Sequence, residues 1–254
     1  MVILPADMLV VMAAPFIGSF VTMLAHRLPA GAPIAIARSA CPQCGTALSP
    51  WSLVPILSWA VQRGRCRHCN GAISPSYPLI EFAALALAVW ALSVVTGWVF
   101  EASCILGWAL LALAVIDTRH FILPDSVTLP LIAAGLAVTL FIDQDRVLPN
   151  FLAAMAAGAS LALISELYRA LRGREGLGLG DAKLFAAGGA WVGFAGLPGV
   201  ILIGCFAALA WALVQCALRR KISGDMRLAF GPFLALGIWV IWLYGPLEMG
   251  WGGF

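Results

Sequence analysis

Two aspartates and four cysteines are the residues of this chain best suited to chemistry. Asp117 stands in Ala114-Val115-Ile116-Asp117-Thr118-Arg119-His120, at the end of one apolar run. Asp181 stands in Gly178-Leu179-Gly180-Asp181-Ala182-Lys183-Leu184, at the start of another. Carboxylates at or near membrane depth are costly and therefore mark function. Two of them facing each other suit hydrolysis of a peptide bond. One ionised group makes its neighbour hard to ionise, so the pair holds a shared proton and titrates as a unit. The ionised member draws a proton from water while the protonated member polarises the scissile carbonyl. Gly178 and Gly180 let backbone and substrate approach closely. Plainer roles exist beside these: Asp181 as a helix N-cap, and Asp117 as an ion-pair partner of Arg119. Asp125, after Pro124 and before a helix, reads as an N-cap or a supporting group. Lys183 either tunes a carboxylate or snorkels to the interface. Glu81 is a candidate polar site residue, whereas Glu166 and His26 read as interfacial.

Cys41-Pro42-Gln43-Cys44 and Cys66-Arg67-His68-Cys69 are two C-x-x-C pairs with 21 residues between them. Four thiolates at this spacing close tetrahedrally around zinc. The stretch that carries them has few large apolar residues, so a metal staple supplies what a core cannot. With all four positions filled by protein, such a site is structural. Disulfides or free thiols are the alternative, which a reducing cytoplasmic location disfavours. His68 reads as a surface residue, and Cys104, Cys205 and Cys216 as small core residues.

The elements that position these groups are apolar helices. The chain is 62% hydrophobic and 11% charged, where a soluble domain carries about 25% charged residues. Its mean hydropathy is +0.98, so lipid is the solvent. The net charge of +3 is too small to suggest nucleic acid. The first apolar stretch lacks a basic start and a small-residue cleavage site and reads as a retained span. Spans of about 20 residues are expected over Met8–Leu28, Leu79–Phe100, Ala102–Ile116, Ser126–Ile142, Val147–Tyr168 and Leu228–Pro246, with only Glu101 separating the second and third. The 37-residue run Ala182–Leu218 is too long for one span. It splits at Gly193-Phe194-Ala195-Gly196-Leu197-Pro198-Gly199, a natural turn. That makes an all-α polytopic membrane protein with about eight transmembrane helices and a cytoplasmic zinc-binding loop. Residues 1–28 form the first helix, 29–78 the cytoplasmic segment and 79–254 a seven-helix membrane domain. With both termini outside, fourteen Lys and Arg fall on one side and only Arg146 on the other, as cytoplasmic loops require. Asp117 and Asp181, 64 residues apart in sequence, then share the cytoplasmic edge. A transporter relaying ions through its carboxylates would place them nearer the midplane. A catalytically silent assembly factor would have no need of both aspartates.

These residues also resemble a known family, the type IV prepilin peptidases. The resemblance runs through Gly18-Ser19-Phe20, His26-Arg27-Leu28-Pro29, Arg38-Ser39, both cysteine pairs, Pro55-x-x-Ser58-Trp59, Arg63-Gly64-Arg65, Ile73-Ser74, Tyr77-Pro78 and Glu81. It continues through Asp117 to Leu123-Pro124-Asp125, Gly178-x-Gly180-Asp181-x-Lys183-Leu184, Gly189-Ala190-Trp191-x-Gly193 and Phe230-Gly231-Pro232-Phe233-Leu234-Ala235. The resemblance implies an aspartyl endopeptidase of the bacterial inner membrane, with Asp117 and Asp181 catalytic. Its substrates would be prepilins or type II secretion pseudopilins, cut after a Gly that ends a short basic leader. It further implies N-methylation of the new N-terminus with S-adenosylmethionine, an activity linked to the zinc segment. Many relatives carry Leu-Asn where Val21-Thr22 stand here, and an acidic residue with Asn-Ile-Pro where Ser52-Leu53-Val54-Pro55 stand. A peptidase lacking methyl transfer is therefore the alternative.

Overall fold

The computed structural model describes residues 5–33, 39–41, 43–173, 178–219 and 228–246. Among them are eight helices: α1 (Pro5–Arg27), α2 (Leu57–Val61), α3 (Ser76–Val94), α4 (Trp98–His120), α5 (Asp125–Ile142), α6 (Val147–Arg172), α7 (Leu179–Arg219) and α8 (Gly231–Tyr244). The described residues include no strand, only two isolated bridges, Ala40 with Ala47 and Arg65 with Ala72. Five of the sequence's basic residues (Arg38, Arg174, Arg220, Lys221 and Arg227) and Pro42 lie outside the described residues. The chain forms two compact units, Met1–Ala112 and Leu113–Phe254.

In the first unit α1 packs on α3 through small side chains. Ala14, Ala25, Ala84 and Ala88 are fully buried. A Cβ at Gly18 would come within 2.5 Å of Glu81 Cα. Small residues let apolar helices approach closely where lipid offers no hydrophobic drive between them. The Trp108 indole N–H on the early part of α4 donates to Ala84 O at 3.1 Å.

In the second unit α7 packs against α5, α6 and α8. A Cβ at Gly189 would meet the α6 backbone at Ala153 and Ala154, 2.7 Å away. Gly193 takes φ +65, ψ −176 inside α7, a conformation open essentially to glycine alone. Asn150 Nδ2 donates to Ala190 O at 3.2 Å and to Thr139 Oγ1 at 3.1 Å, supplying a donor to a carbonyl beside the break. Contacts with α8 give the direction of each arm. Before the break Gly188 lies against Ile238 and the Trp191 ring against that of Trp242. After it, Gly196 lies against Ile241, Val200 against Gly237 and Gly204 against Phe233. The first arm therefore runs with α8 and the second against it, so α7 is a helical hairpin folded at one residue.

Among the described residues six helices are long and apolar enough to cross a membrane, and Gly231–Tyr244 is a shorter apolar one. With α7 counted as two arms, eight apolar segments stand where eight were expected. Three boundaries differ. The second and third spans are separated by Val95–Gly97, with Gly97 at φ +68, rather than by Glu101. Glu101 instead sits in the first turn of α4, where a negative charge favours the helix N-terminus. The third span continues past Ile116 to His120, so Asp117 is inside its last turn. The turn expected over Gly193–Gly199 contracts to Gly193, and helix resumes through Pro198. Of the three lone cysteines read as core, Cys104 is buried but Cys205 is exposed and Cys216 half-buried. A small apolar thiol is equally at home on a surface bathed by lipid.

Candidate active site

Both aspartates belong to the second unit. Asp117 lies in the last turn of α4 and Asp181 in the first turn of α7, and they are 6% and 8% exposed. Gly180, next to Asp181, packs against Leu123, just past the end of α4, so stretches far apart in sequence meet in space. α4 ends immediately afterwards, where Phe121 takes φ +56 and returns its N–H to Asp117 O at 2.9 Å.

The surroundings of the two carboxylates differ. Gly231 N–H, at the start of α8, donates to Asp117 Oδ2 at 3.0 Å. A Cβ at Gly231 would lie 2.7 Å from that same oxygen, inside contact distance. Asp181 donates its own N–H to Gly178 O at 3.1 Å, but its Oδ1 is buried and has no hydrogen-bond partner among the described residues. Buried polar atoms are rarely left so, and such an atom is available to a ligand. Gly178 and Gly180 put no side chain in the approach: a Cβ at the first would stand 3.5 Å from Asp181 Oδ2, and at the second 3.0 Å from Leu123 Cβ.

Lys183 Nζ pairs with Asp125 Oδ1 at 2.6 Å, so the lysine does meet a carboxylate. Asp125 is the first residue of α5 and Pro124 occupies the cap position. The bridge links the turn that follows Asp117 to the turn that carries Asp181. Glu166 pairs with Arg169 at 2.6 Å on an exposed face. Glu81 belongs to the first unit, where it is buried and accepts Ile56 N–H at 2.7 Å. Gly231 is the site residue that side-chain reasoning misses, because it acts through its backbone. The only sequence signal was the Phe230-Gly231-Pro232 string.

The four cysteines form a second cluster, in the first unit. Their sulfurs all lie within 4.8 Å of one another, and Cys41 Sγ is 3.9 Å from Cys69 Sγ. A tetrahedron with Zn–S bonds of about 2.3 Å has edges of about 3.8 Å, so the donor set fits that ion. All four are free thiols. The two turns are built alike. Gly45 N–H returns to Cys41 O and Asn70 N–H to Cys66 O, each at 2.9 Å. Gly45 and Asn70 follow the second cysteine of their pairs at φ +68 and +60, a left-handed step that Gly and Asn tolerate. Hydrogen bonds with the Thr46 hydroxyl and backbone pull the Cys44 thiol down to about 6. The Cys66 thiol is also lowered, chiefly by the backbone at Cys69. At Cys69 the Gly71 backbone pulls downward, but desolvation and the other three thiols outweigh it and raise the group to about 11. His68 is exposed and outside the cluster.

Two family models match the chain. The Bacterial Peptidase A24 N-terminal domain covers residues 12–95, and the Type IV leader peptidase family covers residues 104–213. A prepilin leader peptidase/N-methyltransferase of Burkholderia pseudomallei (strain K96243) is 42% identical over 248 residues, 87% of this chain and 80% of the relative. One from Aeromonas salmonicida (strain A449) is 34% identical over 269 residues, covering 96% and 92%. One from Pseudomonas aeruginosa is 33% identical over 258 residues, covering 90% and 87%. No solved structure gives a significant match.

Proposed function

The chain belongs to the type IV leader peptidase family, and from that premise we propose that Asp117 and Asp181 are the catalytic pair that removes the leader from prepilins or pseudopilins. The observation that carries this reading is two buried aspartates on separate helices whose flanking residues, Leu123 beyond one and Gly180 before the other, pack together. Asp117 accepts a backbone N–H, which suits the ionised member. It takes a proton from water, and the water oxygen attacks the scissile carbonyl. Asp181, with Oδ1 unpartnered, carries the other proton and gives it to the carbonyl oxygen. On collapse Asp117 gives its proton to the leaving amine while Asp181 takes one back from a hydroxyl of the tetrahedral species, so the pair ends as it began. Gly178 and Gly180 leave room for an extended substrate. Lys183 and Asp125 hold the two acid-bearing turns together.

The cut falls at the cytoplasmic face of the inner membrane, after the Gly that ends a short basic leader. The charge asymmetry of the loops supports that sidedness, with both termini periplasmic. In this reading residues 29–78 are the metal-binding cytoplasmic segment and 79–254 the protease domain. Cys41, Cys44, Cys66 and Cys69 would hold zinc, which supplies a structural cross-link and takes no part in hydrolysis. Methylation of the new N-terminus, with S-adenosylmethionine as methyl donor, is the companion activity. Glu81, buried and with its carboxylate accepting Ile56 N–H, is the candidate contact for that cofactor.

Mass spectrometry of a co-expressed prepilin tests the proposal. The parent protein should remove a leader-sized mass, with a further methyl increment if transfer occurs. Asp117→Asn and Asp181→Asn should each lower cleavage by at least about 10²-fold, the low end for a lost acid or base, while the protein stays in the membrane. Parent-like cleavage by either variant would overturn the assignment.

A further inference from the structure

We propose that Pro50–Val61 is an interfacial anchor that seats the cysteine knuckle on an anionic lipid surface. The inference does not depend on the catalytic roles of Asp117 and Asp181. The segment is a 3-10 turn at Pro50–Leu53 followed by α2. Trp51, Leu57 and Val61 are 78%, 64% and 71% exposed. In α2, Leu57, Ala60 and Val61 share one face at i, i+3 and i+4, and all three are exposed. Trp59 is only half-exposed. Its indole N–H donates to Ile73 O at 3.2 Å, and a Cβ at Gly64 would lie 2.9 Å from its ring. One side of the segment is therefore fastened to the knuckle, and the other presents large apolar groups that none of the described residues covers. A contiguous apolar face of this kind marks an interaction surface.

Three observations identify lipid as the occupant. The first is depth. Ile56 N–H donates to Glu81 Oε2 at 2.7 Å, and Glu81 lies five residues into α3, about 7 Å along the helix axis at 1.5 Å per residue. The segment is thus held level with the first turns of a membrane span. Ile56 takes φ +62 there, uncommon for a β-branched residue, so the tether is imposed by its surroundings. The second is continuity: Leu79 and Phe82, on those same turns of α3, are exposed apolar residues of the surface that lipid covers. The third is charge. No aspartate or glutamate occurs from Met8 to Ile80, and Arg63, Arg65 and Arg67 immediately after α2 are all exposed. A tryptophan with apolar neighbours and a following run of arginines suits the boundary of an anionic leaflet. The same cationic character disfavours a second copy of the chain, and equally a basic leader peptide.

Photocrosslinking of the full-length protein in lipid nanodiscs distinguishes these occupants. p-Benzoylphenylalanine replaces Leu57 or Val61 in turn, with His68, exposed on the knuckle, as the control position and Trp51 as a further position if either variant loses the parent's thermal unfolding midpoint. In nanodiscs containing phosphatidylglycerol, lipid adducts at 57 and 61 should exceed those at 68 at least fivefold by intact mass. Equal yields at all three positions overturn the proposal. So does crosslinking at 57 and 61 to a second copy or to an added prepilin in preference to lipid. Arg63→Gln, Arg65→Gln and Arg67→Gln together should reduce the adduct at 61 to the yield seen in phosphatidylcholine alone. An unchanged yield removes the anionic surface from the claim.

Discussion

Gly231 offers Asp117 a backbone N–H at 3.0 Å and no side chain to obstruct it. Replacing it with alanine keeps the donor but puts a Cβ 2.7 Å from Asp117 Oδ2, closer than contact allows. Either the carboxylate or the start of α8 must shift. Displacement of a reacting group by about 1 Å costs on the order of 10²-fold in rate. Gly231→Ala should therefore lower kcat by about 10- to 10²-fold and leave KM for a prepilin within about twofold, since substrate contacts remote from the pair persist. Steady-state kinetics on purified protein measures the split. A changed KM with parent kcat would mean that Gly231 serves binding rather than the position of Asp117. The two aspartates were legible because a carboxylate at membrane depth is conspicuous in an apolar chain. Gly231 was not, because a glycine amide carries no mark of what it donates to.

At the scale of elements, the knuckle and the folded helix α7 differ in how much they owe to local sequence. The knuckle follows from spacing: two C-x-x-C pairs, each followed by a residue able to take a left-handed step. Cys44→Ser removes one of four sulfurs that lie within 4.8 Å. Bound zinc should fall from about one per chain to near none, read by elemental analysis of purified protein, because three thiolates and a hydroxyl hold the ion far more weakly. Undiminished metal would place it elsewhere. The fold in α7 is less local. Gly193, Gly196 and Gly199 are all candidates in the sequence, and tertiary contacts select the first. Asn150 donates to Ala190 O beside it, and a Cβ at Gly193 would lie 2.7 Å from Asn150 Oδ1. Gly193→Ala meets both that clash and a backbone region closed to alanine. It should destabilise the protein by about 1–3 kcal/mol, seen as a lower thermal unfolding midpoint. Gly199→Ala, placed in continuous helix and so free of that backbone strain, should lower it less. Equal effects would mean that the break is shared along the string.

The whole molecule's path through the bilayer rests on that fold. Charge alone suggested an even number of crossings, since fourteen of fifteen Lys and Arg fall on one side when the long run is counted twice. Helix length alone argues otherwise, for Leu179–Leu218 is one continuous 40-residue candidate. The α8 contacts favour the charge count, with Gly188 against Ile238 on one arm and Gly204 against Phe233 on the other. What the sequence left hidden was where the reversal occurs, because a single residue in an unusual conformation leaves helical periodicity intact on both sides. The two topologies differ at Arg219. If the arms cross separately, a reporter joined after Gly173 and another joined after Arg219 face the same side, and one joined after Tyr244 faces the other. Fluorescent protein fusions should then be bright at the first two sites and dark at the third, and alkaline phosphatase fusions the reverse. A single crossing by α7 exchanges the readings at Arg219 and Tyr244. It would also put the end of α7 and the start of α8 on the face opposite Asp181. Gly231 could not then reach Asp117, so a dark fluorescent fusion at Arg219 would remove both the hairpin and the proposed environment of the catalytic pair.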